Sequence, residues 1–346
     1  MVGRGKKKAF NWIKDQVGRK ITGWKGKLLS KAGKEVLIKA VAQATTTYTM
    51  SCFKLPDFLC RELNSIVSQF WWGQKNNERK MTWISWENMC TPKVEGETGF
   101  KDLKAFNLAL LAKQGWRISQ NPDSLTHKVF KARYFAKGSF MDAQVGKKQS
   151  YVWRSIMVAK ETIKVGSKWI IGNGRKVNIW CDRWLPLADS FKVLSPQGHN
   201  TKVVKVAQLI DNVTGTWKAE LIKETFLPHE VDNILSIPLS PRLPKDSRVW
   251  AWSKNGFFKV RSAYEVSLKL LKTSTPRTSG DGSDKAKAAE FWKGLWKIDC
   301  PNKIKHFLWR ACKEILPTNY RLAARKVSSN DRCGFCRECE SSGHTL

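Results

Sequence analysis

The chain has 346 residues and carries 62 Lys+Arg against 29 Asp+Glu, a formal charge of +33, which is too basic for an ordinary metabolic enzyme and points to a polyanionic partner. Its 42% hydrophobic and 26% charged residues are a globular composition and exclude disorder throughout. No run approaches the ~18 apolar residues of a membrane span, and none follows Lys6, Lys7 and Lys8 to make a signal peptide, so a soluble, intracellular protein is expected, with nucleus and cytoplasm not distinguished.

The positive excess is densest at the start, where residues 1–40 hold 12 Lys+Arg against Asp15 and Glu35. From Ser30, the residues Val36, Leu37, Ala40, Val41 and Ala44 fall on one helical face, with Lys31, Lys34 and Lys39 off it. After the break at Pro56, a second helix is predicted from Leu59, Leu63, Ile66, Val67 and Phe70, running into Trp71, Trp72 and Gly73. A third carries Leu103, Phe106, Ala109 and Leu110 through Trp116 and Ile118, and ends before Asn121-Pro122. The first 135 residues therefore read as mainly helical.

Beyond them the period changes. Trp169, Ile170 and Ile171, then Gly172-Asn173-Gly174, then Val177, Ile179 and Trp180 predict a hairpin. A second is predicted from Val249, Ala251 and Trp252, a turn at Asn255-Gly256, and Phe257, Phe258 and Val260. Prolines 186, 196, 228, 238, 241 and 244 interrupt the stretch between. Thr273 to Asp284 reads as a flexible linker. Past it, Ile304, Phe307, Leu308 and Ala311 share a helical face, with Lys303, Lys305, His306 and Arg310 around it. The whole is expected to be α+β: a basic helical region at 1–135, a Trp-rich middle with hairpins at 136–272, a linker at 273–289 and a small C-terminal domain at 290–346.

Nine cysteines are an odd number and argue against a disulfide framework. Cys52, Cys60, Cys90, Cys181, Cys300 and Cys312 stand singly and read as small packed hydrophobes. Cys333, Cys336 and Cys339 cluster at the end. A Cys-x2-Cys turn sets two thiolates on one tetrahedral ion, and His344 can add a third ligand, so zinc is the expected metal. Cys339 is the candidate for the fourth position, although three cysteines on one turn are crowded. Gly172-Asn173-Gly174 lacks the Lys-Ser/Thr of a phosphate loop and reads as a turn. The five histidines lie in unrelated contexts, and no Gly-x-Ser-x-Gly elbow occurs, so no catalytic residues are assigned. No Asp-Asp pair exists to hold two cations for nucleotidyl transfer. Asp57, Asp102, Asp182 and Asp299 read as caps, turns or ion-pair partners.

Several strings, in order, resemble the C-terminal part of the polyprotein of plant LINE-type non-LTR retrotransposons, downstream of the reverse-transcriptase palm. They are Gly23-Trp24, Leu28-Leu29-Ser30-Lys31-Ala32-Gly33, Phe70-Trp71-Trp72-Gly73, Trp83-Ile84-Ser85-Trp86, Cys90-Thr91-Pro92-Lys93 and Phe106-Asn107-Leu108-Ala109-Leu110-Leu111-Ala112-Lys113. Further on come Trp180-Cys181-Asp182-Arg183-Trp184-Leu185-Pro186 and Gly256-Phe257-Phe258-Lys259-Val260-Arg261-Ser262-Ala263-Tyr264. The end is similar to the family's reverse-transcriptase zinc-binding region: Trp292, Trp296, Pro301, Phe307-Leu308-Trp309-Arg310, Leu316-Pro317-Thr318, Cys333-x2-Cys336 and His344. The resemblance implies a thumb-like first region and a zinc domain with Cys333, Cys336 and His344 as ligands, the family's usual downstream Cys being the fourth. The palm Asp-Asp, endonuclease and ribonuclease H regions are absent from this sequence.

The expected function is binding of RNA or single-stranded DNA in support of reverse transcription, without polymerase activity by this chain alone. Lys25, Lys27, Lys31, Lys34, Lys39, Lys305 and Arg310 are the candidate phosphate contacts and Trp24 a stacking platform. Most of the other tryptophans are expected to be core anchors. The alternatives are a protein-interaction module built on the zinc domain and a relic of a decayed element. Oligomeric state is not legible.

Overall fold

A computed structural model describes the chain apart from residues 1–5, 26, 74–79, 147–148, 188–189, 197–202, 274–281 and 345–346, and apart from the side chains of residues 6, 7, 25, 273 and 282–285. Tertiary contacts divide the chain into one unit of Met1–Asn107 with Leu271–Leu346 and another of Leu108–Leu270. The architecture is α+β, mostly helical with a few short strands.

The first unit opens with α1 (Lys6–Lys25), in which Phe10, Ile13, Val17 and Ile21 recur at helical spacing and are buried. Ser30 caps α2 (Lys31–Leu37) by accepting the Gly33 amide at 3.2 Å. A π-helical turn follows at Ile38–Ala42, then α3 (Gln43–Thr45), α4 (Thr47–Cys52) and α5 (Asp57–Trp72). In α5 the predicted Leu59, Leu63, Val67 and Phe70 are buried, and the helix stops at Gly73, whose φ of 79° is left-handed. α1 lies on α5, joined by Lys14 to Glu62 at 3.4 Å, and Phe10 packs against Phe53 at the end of α4.

The stripe predicted over Val36–Ala44 is corrected. Val36, Ala40 and Ala44 are exposed, while Ile38, Ala42, Gln43 and Thr46 turn inward. The cause is that α2 presents Lys31 and Lys34, and not Val36, to the aromatic end of α5. Next come α6 (Trp86–Met89), a 3-10 turn at Lys93–Glu95 and α7 (Leu103–Gln120), whose start Asp102 caps by accepting the Ala105 amide at 2.8 Å. Buried Asn107 accepts the Leu55 amide at 2.7 Å and donates to the Met50 and Phe53 carbonyls at 2.8 and 2.9 Å, tying down the connection between α4 and α5.

In the second unit, α8 (Leu125–Tyr134), α9 (Tyr151–Val158) and α10 (Lys160–Gly166) surround fully buried Trp153, on which Tyr134, Phe130 and Phe135 stack. After β1 (Ser167–Ile170) the chain forms β2 (Ile210–Asp211), β3 (Thr216–Trp217), α11 (Ala219–Thr225), α12 (Pro228–Leu235), β4 (Ser247–Trp250) and α13 (Val260–Thr273). A second apolar cluster gathers Ile171, Val177, Ile179, Trp184, Leu209, Ile210, Ile222 and Ile234.

The middle region's two predicted hairpins are corrected as well. β1 pairs antiparallel with β4, from Ser167 opposite Trp250 to Ile170 opposite Ser247, and not with residues 177–180. Asp246 explains this, because its carboxylate accepts the amides of Gly172, Gly174 and Lys176 at 2.8, 2.8 and 2.9 Å and holds the glycine turn against the entry to β4. Asn255-Gly256 does turn, with the Trp250 amide donating to the Gly256 carbonyl at 2.8 Å, but Phe257–Lys259 form no strand and Val260 starts α13. The hairpin that forms is β2 with β3, closed through Gly215.

The first unit is completed by α14 (Gly282–Lys297), α15 (Asn302–Cys312) and α16 (Asn319–Ala324). Trp309 on α15 is buried and donates from Nε1 to the Gly96 carbonyl at 3.0 Å. Lys313 pairs with Glu97 at 2.9 Å, and Nε2 of buried His306 meets Glu35 of α2 at 2.6 Å. The linker read over 273–289 is corrected where it is described: residues 274–281 lie outside the described set, but Thr273 closes α13 and residues 282–289 already belong to α14, and the segment from 290 onward shares the contacts of the first 107 residues. Of the singly placed cysteines, Cys60 and Cys90 are buried as expected, whereas Cys181 and Cys312 are exposed.

Candidate nucleic-acid groove and metal centre

Two of the predicted constellations assemble in the first unit. At the junction of α1, α2 and α5 lies a groove of about 530 Å³ lined by Trp24, Lys27, Leu28, Ser30, Lys31, Lys34, Phe70, Trp72 and Lys80, with no Asp or Glu among the described lining residues. The turn that ends α1 sets its wall, the Lys27 amide donating to the Trp24 carbonyl at 3.1 Å. Trp24 tilts against Phe70 with centroids 5.6 Å apart. Nζ of Lys31 donates to the Trp71 carbonyl at 2.6 Å and stands 5.0 and 5.1 Å from the centroids of the Trp71 and Trp72 rings. Lys34 lies over Phe70 at 5.3 Å.

Burial, then the charges of Lys34, Arg310 and Lys80, push the Lys31 ammonium down to about 7. Four cations therefore converge on one place, a costly arrangement that a bound polyanion would relieve. Burial also lowers Arg310, whose Nε is buried without a hydrogen-bond partner.

Not every predicted contact lies there. Lys39 is held 2.6 Å from Glu35 and 2.7 Å from the Thr98 carbonyl, inside an ion cluster that also contains Lys93, 3.0 Å from Glu35. Burial opposes ionisation of Glu35, yet the His306 hydrogen bond, Lys39 and Lys93 together hold it well below the usual carboxylate range. Lys305 reaches the Trp296 carbonyl at 3.4 Å. The side chain of Lys25 is outside those described. Lys80 was missed by sequence reasoning, because nothing local links it to α2; its only signal was another Lys close after the Phe70–Gly73 string.

The second constellation is at the C-terminus. The ligand atoms of Cys333, Cys336 and His344 all lie within 4.8 Å of one another, and Sγ of Cys336 is 3.2 Å from Nε2 of His344. The Cys-x2-Cys turn is closed by the Arg337 amide to the Cys333 carbonyl at 3.0 Å, with Arg337 itself left-handed at φ 65°. The backbone amides of Cys336 and Phe335, and then His344, lower the Cys333 thiol to about 7. Two soft thiolates and an imidazole gathered at this spacing suit zinc, which Cys333, Cys336 and His344 would hold. Cys339 stands outside this set; its backbone bridges Arg332 instead. Bound zinc would cross-link the turn at Cys333 to the loop at His344.

Gly172-Asn173-Gly174 is, as read, a turn. Its amides converge as a phosphate loop's would, but they enclose the chain's own Asp246.

Comparison with known proteins bears on the C-terminal region. A family model described as zinc-binding in reverse transcriptase matches residues 258–346. An Arabidopsis thaliana protein named "Putative ribonuclease H protein" is 30% identical over 358 residues, covering 98% of this chain and 54% of that protein. An uncharacterized mitochondrial protein of the same plant is 42% identical over 143 residues, which are 41% of this chain and 93% of that protein. The chain thus spans about half the length of the first relative and nearly all of the second. Among the described residues no helix is long and apolar enough to cross a membrane.

Proposed function

Because this chain belongs to the reverse-transcriptase-derived family of plant LINE-type retrotransposons, we propose that it binds RNA or single-stranded DNA in support of reverse transcription. The observation that carries this reading is the groove at Trp24, Lys27, Lys31 and Lys34, where cations gather without a described carboxylate among them and aromatic rings form the wall. Phosphates answer the charge and unpaired bases the rings. A closed duplex would offer the rings no free base faces, which favours a single strand. The zinc centre keeps the C-terminal segment in one shape, a structural role. Polymerase chemistry is not proposed for this chain, since no Asp-Asp pair exists in the sequence; primer extension with it alone is expected to yield no product.

The test is a single-stranded RNA titration across a salt series, with Lys27→Glu, and Lys31→Glu with Lys34→Glu, as variants. Each phosphate contact removed should lower the slope of log K against log salt by ~0.7. Lys27 is exposed, so its variant tests the groove even if charge reversal at half-buried Lys31 disturbs folding. An unchanged slope in folded Lys27→Glu and in the double variant would sink the reading.

A further inference from the structure

In the second unit, a cavity of about 490 Å³ opens beside β1 and β4, and five cations line it against three acids. The acids are already engaged. Asp142 accepts the Ser139 hydroxyl and amide at 2.6 and 3.2 Å, Asp182 accepts the Asn178 amide at 2.7 Å, and Glu161 lies 3.9 Å from Lys164. Neither arginine is in ion-pair contact with them, although the charges of Asp182 and Asp142 act on Arg248 from a distance. Arg248 lies over the Trp169 ring at 4.5 Å, and Arg183 over the Phe191 ring at 5.3 Å, which Lys168 also faces at 5.0 Å. Among the described residues neither guanidinium forms an ion pair, and Nε of Arg183 is buried with no hydrogen-bond partner. Burial works against the charge on both, alone at Arg183 and against the pull of Asp182 and Asp142 at Arg248.

A half-buried guanidinium with unfilled donors presents a planar fork, and the geometry that fills a fork is a pair of oxygens on one anion. Trp169 and Phe191 already carry cations on a face, so the cavity offers charge and little open ring for a base. We propose that this cavity is a phosphate site that takes a phosphodiester of a nucleic-acid strand, through Arg183 and Arg248 with Lys168 and Lys192 adding charge. It is a contact additional to the groove of the first unit and does not depend on it.

Exposed Cys181 lines the cavity and serves as a local reporter. The experiment follows alkylation of Cys181 in the full chain, by peptide mass spectrometry, with a single-stranded RNA oligonucleotide and separately with inorganic pyrophosphate. At ten times the Kd of the pocket, RNA should slow Cys181 roughly tenfold. Arg183→Gln should abolish the protection, and Lys192→Gln, at an exposed position whose replacement spares the fold, should weaken it. Protection by pyrophosphate with none by RNA would overturn the strand and leave a site for free phosphates. A Cys181 rate moved by neither, or protection undiminished in both folded variants, would overturn the site itself. Because Cys181 is read directly, this outcome is separate from the salt slope that tests the groove.

Discussion

Lys31 is an ammonium whose proton is contested. With its pKa pushed down to about 7, it is half neutral near neutrality in the free protein, and a phosphate beside it would restore the proton. RNA affinity should therefore rise as pH falls from about 8.5 to 6, by at most about tenfold per pH unit above 7, and the dependence should vanish in Lys31→Met. The sign for stability runs the other way. Between 7 and 10.5 the unfolded chain binds more protons at this residue, so stability should rise with pH across that window, and Lys31→Met should be the more stable protein at pH 6 by urea titration. At the metal centre, Cys336→Ser should lose zinc by native mass spectrometry, whereas Cys339→Ser should keep it, since only the former removes a convergent donor. Zinc retained in Cys336→Ser, or lost in Cys339→Ser, would contradict the ligand set.

At the scale of elements, the glycine turn at Gly172–Gly174 depends on a carboxylate more than 70 residues away. Asp246→Ala leaves three amides without their acceptor, at ~1–3 kcal/mol for each buried group, and should unfold the second unit at markedly lower urea. Gly174→Ala should be costly too, because φ is 67° and an added Cβ would sit 2.3 Å from the Ala207 amide nitrogen; a melting temperature unaltered in both variants would refute the role given to the turn. The same residues show where sequence reading succeeds. α5 and α7 were legible because apolar spacing and capping agree over many turns. The strand at Trp169–Ile170 was legible, but its partner was not, since local pattern carries no signal of a carboxylate at position 246. α2 was placed and its buried face misjudged, because lysine stems packed on Phe70, Trp71 and Trp72 count as polar in any pattern. Spacing and the resemblance named Cys333, Cys336 and His344 with Cys339 beside them, and the structure gathers the first three; of the candidate phosphate contacts only some meet at the groove, with Lys80 unsignalled and Lys39 taken inward.

The whole molecule is organised by a returning chain: the last 76 residues complete a unit begun by the first 107. Trp309 is the anchor of that return, being buried and hydrogen-bonded to Gly96. Trp309→Ala should cost ~3–5 kcal/mol, read as a shift of the denaturation midpoint, and a loss below 1 kcal/mol would mean the two segments are held some other way. The ion cluster beside it is acid-sensitive. Glu35 is held well below its ordinary 4.5, so its contribution is present above that pH and is lost as pH falls beneath it; Glu35→Gln should show a shallower acid transition. There is also a question of timing. Glu35 and its partner His306 are separated by 271 residues, and a ribosome adding 5–20 residues per second needs on the order of 15–50 s to cross that distance. During that interval α2 is out of the tunnel with α5 beside it but without the α15 surface it will rest against, and the crowd of like charges in its neighbourhood works to keep nascent chains apart until α15 arrives.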